Sequence, residues 1–191
     1  MEVTLSQKQL RVISAVAVAF LLVIGLVVYE LVGSSGSNNS AQSYAAAGIS
    51  AFKAGDYSLA LQEFNQELQA AQGTPGAVAV AHYNIGTTQV RMHLVSAAAD
   101  NFRMATQESP RFGVAWMNLG LAESQLGNTS AALRDYEKLL QLQPTNALGL
   151  LNSGILMYKN GQKTTGLSRI QQAVVIDPAL KSRVPTDIPL K

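Results

Sequence analysis

Apolar residues fall along this chain in two different patterns. From Val12 to Tyr29 the sequence VISAVAVAFLLVIGLVVY runs for 18 residues without a charge, and Leu31 and Val32 continue it past Glu30. A helix of 18 to 21 such residues is about 27 to 31 Å long, matching a bilayer hydrocarbon core of roughly 30 Å. Beyond Ala41 no such run occurs. There, bulky, small and turn-forming residues return at a fixed period instead, and that period organises the rest of the chain.

The first pattern predicts a single membrane-spanning helix over residues 12–32, behind a short stub at 1–11. Tyr29 falls where an interfacial aromatic belt would place it, and the Glu30 carboxylate can reach the headgroups. A cleaved leader has an apolar stretch of only about 7 to 15 residues and ends at a small-x-small site. This stretch is longer and ends in VYELVGSSG, so an uncleaved anchor is expected. Lys8 and Arg11 precede it and no basic residue follows until Lys53, which puts the N-terminus in the cytoplasm and the remainder outside it. Ser14, Ala15 and Ala19 form a small-residue face against which another transmembrane helix can pack. Residues 33–40, GSSGSNNS, have the composition of a flexible tether with a mean reach of about 15 Å.

The second pattern repeats every 34 residues. Trp116, Leu119, Gly120, Gly127, Ala132, Tyr136 and Pro144 have counterparts in Leu150, Ser153, Gly154, Gly161, Gly166, Ile170 and Pro178. In the other direction they correspond to His82, Ile85, Gly86, His93, Ala98, Phe102 and Pro110. A fourth copy, offset by an insertion around Pro75 and Gly76, carries Tyr44, Ala47, Gly48, Gly55, Ala60 and Phe64. The units span 41–74, 79–112, 113–146 and 147–180, followed by a tail at 181–191.

Each unit reads as two helices. Gly48, Gly86, Gly120 and Gly154 fall mid-helix, where glycine costs about 1 kcal/mol relative to alanine, so their common phase implies a close helix crossing. Ala60, Ala98 and Ala132 do the same on the second helix. Gly55, Gly127 and Gly161 stop the first helix, Asp56 or Asn128 can start the second, and Pro110, Pro144 and Pro178 close the unit. Two departures predict irregular joints: His93 and Leu94 stand where the second unit should turn on glycine, and Gln72 replaces the closing proline of the first.

These residues resemble the tetratricopeptide repeat (TPR) family over 41–180. The resemblance implies a right-handed α-solenoid of four helix pairs, so that with the transmembrane helix ahead of it the expected fold is all-α. It also implies a concave groove lined by the second, fifth, ninth, twelfth and thirteenth residues of each unit. Those positions hold Ile49, Phe52 and Lys53; Val80, Tyr83, Val90 and Arg91; Val114, Met117 and Leu121; and Leu148, Leu151, Ile155, Tyr158 and Lys159. Gln42, Thr87, Ser124 and Gln125 are uncharged polar exceptions, so the expected groove is largely apolar. It suits an apolar or amphipathic partner segment, unless the first helices bury these side chains against one another. A clamp for a peptide carboxylate is not expected, because Ala45, Tyr83 and Met117 occupy places where basic residues would be needed. Asn84, Asn118 and Asn152 are then expected to satisfy neighbouring polar groups.

Composition removes other functions. The net charge is only +2, and the 12 basic and 10 acidic residues beyond Gly33 form no block, so there is no nucleic-acid footprint. Cysteine is absent. His82 and His93 lie 11 residues apart near opposite ends of one predicted helix and cannot form an i, i+4 metal pair. The carboxylates are scattered and no phosphate-binding loop occurs, so neither catalysis, a cofactor nor a metal is expected.

The expected function is a non-catalytic scaffold or assembly factor, tethered to a bacterial cell membrane and holding a protein partner in its groove outside the cytoplasm. The competing expectation is an integral subunit of a larger membrane complex, held mainly through its transmembrane helix. The tail ALKSRVPTDIPLK, broken by Pro185 and Pro189, is expected to leave the last hydrophobic face of the array open. The basic C-terminal region opposite an acidic first unit also allows head-to-tail self-association.

Overall fold

The computed structural model describes residues 40–190. The expected membrane span, its Ser14, Ala15 and Ala19 face and nearly all of the tether lie outside the described residues. No helix among the described residues is long and apolar enough to cross a membrane. Ser40, assigned to the tether from sequence, already belongs to the first helix.

Among the described residues there are eight α-helices and no strand. They are α1 (40–54), α2 (Tyr57–Ala70), α3 (Pro75–Arg91), α4 (Val95–Glu108), α5 (Gly113–Gln125), α6 (Thr129–Leu142), α7 (Ala147–Lys159) and α8 (Lys163–Ile176). A 3-10 turn at Pro178–Arg183 follows. Consecutive helices pack as four pairs, and each second helix also packs on the first helix of the next pair, giving a solenoid of stacked hairpins.

The glycine phase explains why the pairs close. A Cβ at Gly48 would sit 2.5 Å from the Phe64 ring, at Gly86 2.8 Å from Phe102, and at Gly120 2.9 Å from Tyr136. Those rings are buried, as are the facing Ala60, Ala98 and Ala132. In the fourth pair the aromatic gives way to Ile170, and glycine stands on both helices. A Cβ at Gly166 would lie 2.6 Å from the Gly154 carbonyl oxygen, so here backbone crosses backbone.

Caps and joints follow from local chemistry. The Asp56 carboxylate accepts from the Leu59 amide at 3.0 Å, and the Asn146 side chain accepts from Gly149 at 2.9 Å, starting α2 and α7. Asn128 behaves differently from expectation: its side-chain amide donates to Glu123 at 2.7 Å instead of capping α6. Gly55, Gly127 and Gly161 take φ of 83°, 78° and 89°. His93 adopts the same left-handed conformation, φ 61°. The amide after it bonds back to Gln89 at 2.9 Å, as Asp56 does to Ala51, Asn128 to Glu123 and Gln162 to Met157. The second joint is therefore regular, contrary to the expectation from its missing glycine.

The insertion near Pro75 is helical. Pro75 occupies the first turn of α3, which needs no amide donor there, and α3 has 17 residues against 13 in α5 and α7. The array also ends differently from expectation. Leu180 and Ile188 are buried with Leu150, Leu151, Ile170 and Ala173, and Val184 and Leu190 pack beside them. Prolines forbid an α-helix here but not a 3-10 turn followed by a second turn, in which the Ile188 amide donates to the Pro185 carbonyl at 3.0 Å. The four-residue spacing of Leu180, Val184 and Ile188 suffices to cover the last pair. With that face covered, head-to-tail stacking loses an apolar driving force at this end.

Candidate functional site

The first helices α1, α3, α5 and α7 carry the expected groove positions, and their side chains divide three ways. The fifth residues turn inward. Leu151 is 1% exposed and Met117 9%, while Tyr83 is half-buried with its ring 5.9 Å from Phe102 and 5.2 Å from Phe112. Met117 and Leu151 are thus part of the array's interior and offer a partner no surface, which corrects the sequence assignment. Met117 is buried with Ala132, Tyr136 and Leu139 of α6, and Leu151 with Ile170 and Ala173 of α8 and Leu180 and Ile188 of the tail, an outcome that hydrophobicity alone does not distinguish from groove lining.

The sixth-position asparagines stitch the same seam. Asn118 donates to the Tyr83 hydroxyl at 3.4 Å and Asn152 to the Met117 sulfur at 3.9 Å, each reaching the fifth residue of the preceding unit. Asn84 donates to Glu67 Oε2 at 3.1 Å.

The ninth, twelfth and thirteenth residues, Tyr158 excepted, line three depressions, one between each successive pair of first helices. Between α1 and α3, Ile49, Phe52, Lys53, Asn84 and Thr87 surround about 220 Å³ above Phe64. Between α3 and α5, Thr87, Val90, Arg91, Asn118, Leu121 and Gln125 surround about 190 Å³ above Phe102. Between α5 and α7, Leu121, Ser124, Asn152, Ile155 and Lys159 surround about 180 Å³ above Tyr136. Thr87 and Leu121 each belong to two of them, so the three form one continuous row. Thr87 spends its hydroxyl on the Tyr83 carbonyl at 2.9 Å, which leaves the row more apolar than its composition suggests.

Ile49, Val90 and Leu121 are 43%, 38% and 36% exposed in this row. The second-position residues Val80, Val114 and Leu148 are exposed as well but line none of the three depressions. Tyr158 is half-buried against the C-terminal cluster, with the Lys163 ammonium 5.8 Å from its ring centroid. Arg91 is held in place: its Nε donates to the Tyr57 hydroxyl at 3.1 Å and its guanidinium lies 5.5 Å from that ring's centroid. Tyr57 in turn meets Phe52 edge to face at 5.5 Å.

Two buried carboxylates escaped the sequence reading. Glu67 is 4% exposed, and burial raises its pKa against the opposing effect of the Asn84 hydrogen bond. A signal existed, since Glu67 continues the buried stripe of Ala60 and Phe64 on α2. Glu123, also buried, accepts from Arg103 at 2.6 Å, and Arg103 bridges to Asp100 at 2.6 Å. Beside them Asp135 is pushed up from 3.8 to about 7, chiefly by burial and then by the Glu123 charge, with Arg134 and Arg103 pulling the other way. His82 Nδ1 lies 2.9 Å from Asn101 Oδ1, and the Asn101 amide donates to Gln89 at 3.0 Å, which makes His82 a strut between α3 and α4. Among the described residues no three histidines or carboxylates converge as a metal site would require.

Stacked helix pairs with a small residue at each crossing and a row of depressions along the first helices define a TPR-like solenoid. The tetratricopeptide repeat family model matches residues 113–146, the third unit. Among curated proteins none matches the sequence. Among solved structures, the chain is similar to MamA, at 18% identity and TM-score 0.66 over 81% of this chain and 87% of that one. It is similar also to YrrB, a TPR protein with an unusual peptide-binding site, at 20% identity and TM-score 0.64 over 76% and 75%. A thermophilic TPR protein of Thermus thermophilus, TTC0263, aligns at 22% identity and TM-score 0.56 over 73% and 75%. At these identities the shared property is the fold.

Proposed function

We propose that this chain is a non-catalytic interaction module that docks a protein partner along the row of depressions on its first helices. The observation that carries the reading is the row itself: three connected hollows with Ile49, Val90 and Leu121 left exposed among them. An apolar surface of this kind costs solubility, and soluble repeat arrays ordinarily present polar residues there. The peptide-binding site described for YrrB supports the same use of a similar fold. The apolar stretch at 12–32 and the basic residues before it support a membrane tether, with the solenoid outside the cytoplasm of a bacterial cell. Protease access to the C-terminus in intact cells tests that placement.

The function is tested by affinity capture of the full chain in mild detergent followed by mass spectrometry. Changing Ile49, Val90 and Leu121 together to serine should abolish capture while leaving the melting curve within about 1 kcal/mol of the parent, because exposed positions contribute little to stability. Undiminished capture by the triple variant would sink the reading.

A further inference from the structure

The ionised side chains that line the three depressions are Lys53, Arg91 and Lys159, and no carboxylate lines any of them. All three stand at the thirteenth position of their units, one turn beyond the ninth-position residues Ile49, Thr87 and Ile155. They therefore form one edge of the row, interrupted only by Gln125 in the third unit. The ion pairs among the described residues, Arg103 with Asp100 and Glu123 and Arg169 with Glu137, involve none of these three cations. Arg91 is instead fixed by the Tyr57 hydroxyl and ring, which orients its guanidinium without neutralising it. Asp56, three residues beyond Lys53, is exposed but lines none of the depressions and accepts from the Leu59 amide at the start of α2. Glu67 and Glu123 are buried and engaged by Asn84 and by Arg103 and Asn128.

An apolar floor with a uniformly cationic edge selects an occupant with the complementary pattern. Each depression is lined by two successive first helices, and packed helices ordinarily stand about 8 to 10 Å apart. Seven residues of an α-helix rise about 10.5 Å, so apolar side chains at heptad spacing meet successive depressions. A β-strand presents one face every two residues, about 6.7 Å, and falls out of register. We propose, resting on the docking reading above, that the partner segment is an amphipathic helix with apolar residues at heptad spacing and acidic residues along one flank, facing Lys53, Arg91 and Lys159.

The test uses the full chain in mild detergent and three synthetic 21-residue helical peptides with leucine at one heptad position. Their flank carries glutamate, glutamine or lysine, and binding is read by fluorescence anisotropy at low and high salt. The glutamate peptide should bind about tenfold tighter than the lysine peptide at low salt, with the gap closing at high salt. A K53Q/R91Q/K159Q variant should lose that preference and keep its affinity for the glutamine peptide. Equal affinity for all three peptides, or a preference that survives in the triple variant, would overturn the charge assignment and leave groove docking intact. Failure of all three peptides to bind would overturn the helical occupant. Docking itself is decided separately by the capture experiment with the serine variant.

Discussion

Adjacent residues on each first helix do opposite work. On α5, Gly120 is buried against Tyr136, while Leu121 stands exposed at the boundary of two depressions. The same step separates Gly48 from Ile49, Gly86 from Thr87 and Gly154 from Ile155. At the first member of each pair all four units have glycine, because a ring or a backbone oxygen occupies the space a Cβ would need. At the second they have isoleucine, threonine, leucine and isoleucine: Ile49 and Leu121 stand exposed, while Thr87 and Ile155 are half-buried, Ile155 against the C-terminal cluster. Residues that close the helix crossing and residues proposed to meet a partner are thus interleaved one position apart, most cleanly at Gly48 and Ile49 and at Gly120 and Leu121.

The sharpest way to break that contrast is to damage the inner set. Phe102 is 1% exposed, fills the space left by Gly86 and floors the central depression. Phe102→Ala should cost about 3 to 5 kcal/mol in urea unfolding, whereas Leu121→Ser should cost under about 1 kcal/mol. Similar losses for the two would mean that the outer residue is also structural. At the covered end of the array, Leu180→Asp places a charge among Leu150, Leu151 and Ile170 and should cost roughly 2 to 4 kcal/mol. A neutral result would mean that the tail does not seal the last pair.

The inner set was legible in the sequence because it recurs: glycine, alanine and aromatic at a constant phase have one economical explanation. The tail was not legible, since Leu180, Val184 and Ile188 occur once and lie among prolines that rule out the capping helix one would look for. The groove was half legible. Periodicity placed the fifth and ninth residues on the same helices, but only the packing of second helices and tail buries Met117 and Leu151 while leaving Leu121 open. The buried acids were hidden for another reason. Glu123 is tolerated because Arg103, twenty residues earlier on another helix, reaches it, and no local pattern announces that pairing.

That acid cluster gives a pH-dependent form of the comparison. In the folded chain Asp135 holds its proton up to about pH 7, whereas its ordinary value is 3.8. The folded state therefore binds a proton that the unfolded chain releases, and stability falls as pH rises from about 4 through 7. Asp135→Asn removes the titration. It should match the parent near pH 4 and exceed it by about 2 kcal/mol at pH 8, the full shift being discounted for partial exposure. Thermal melts across this range check the trend, and a gain that does not vary with pH would assign the effect to something other than the carboxyl group.

The smallest expected effect lies at the joint that sequence marked as irregular. His93 closes α3 in the left-handed region that Gly55, Gly127 and Gly161 occupy at the other three joints. A side chain in that conformation costs about 1 to 2 kcal/mol, and glycine relieves it at the expense of a more flexible unfolded chain. His93 is exposed and its side chain lines none of the three depressions, so replacing it removes little else. His93→Gly should stabilise the solenoid by roughly 0.5 to 1 kcal/mol without altering partner capture. The reciprocal change, Gly127→Ala at φ 78°, should destabilise it by about 1 kcal/mol. If His93→Gly were destabilising, the imidazole would have to hold the joint itself, and the second unit would then differ from its neighbours in mechanism as well as in sequence.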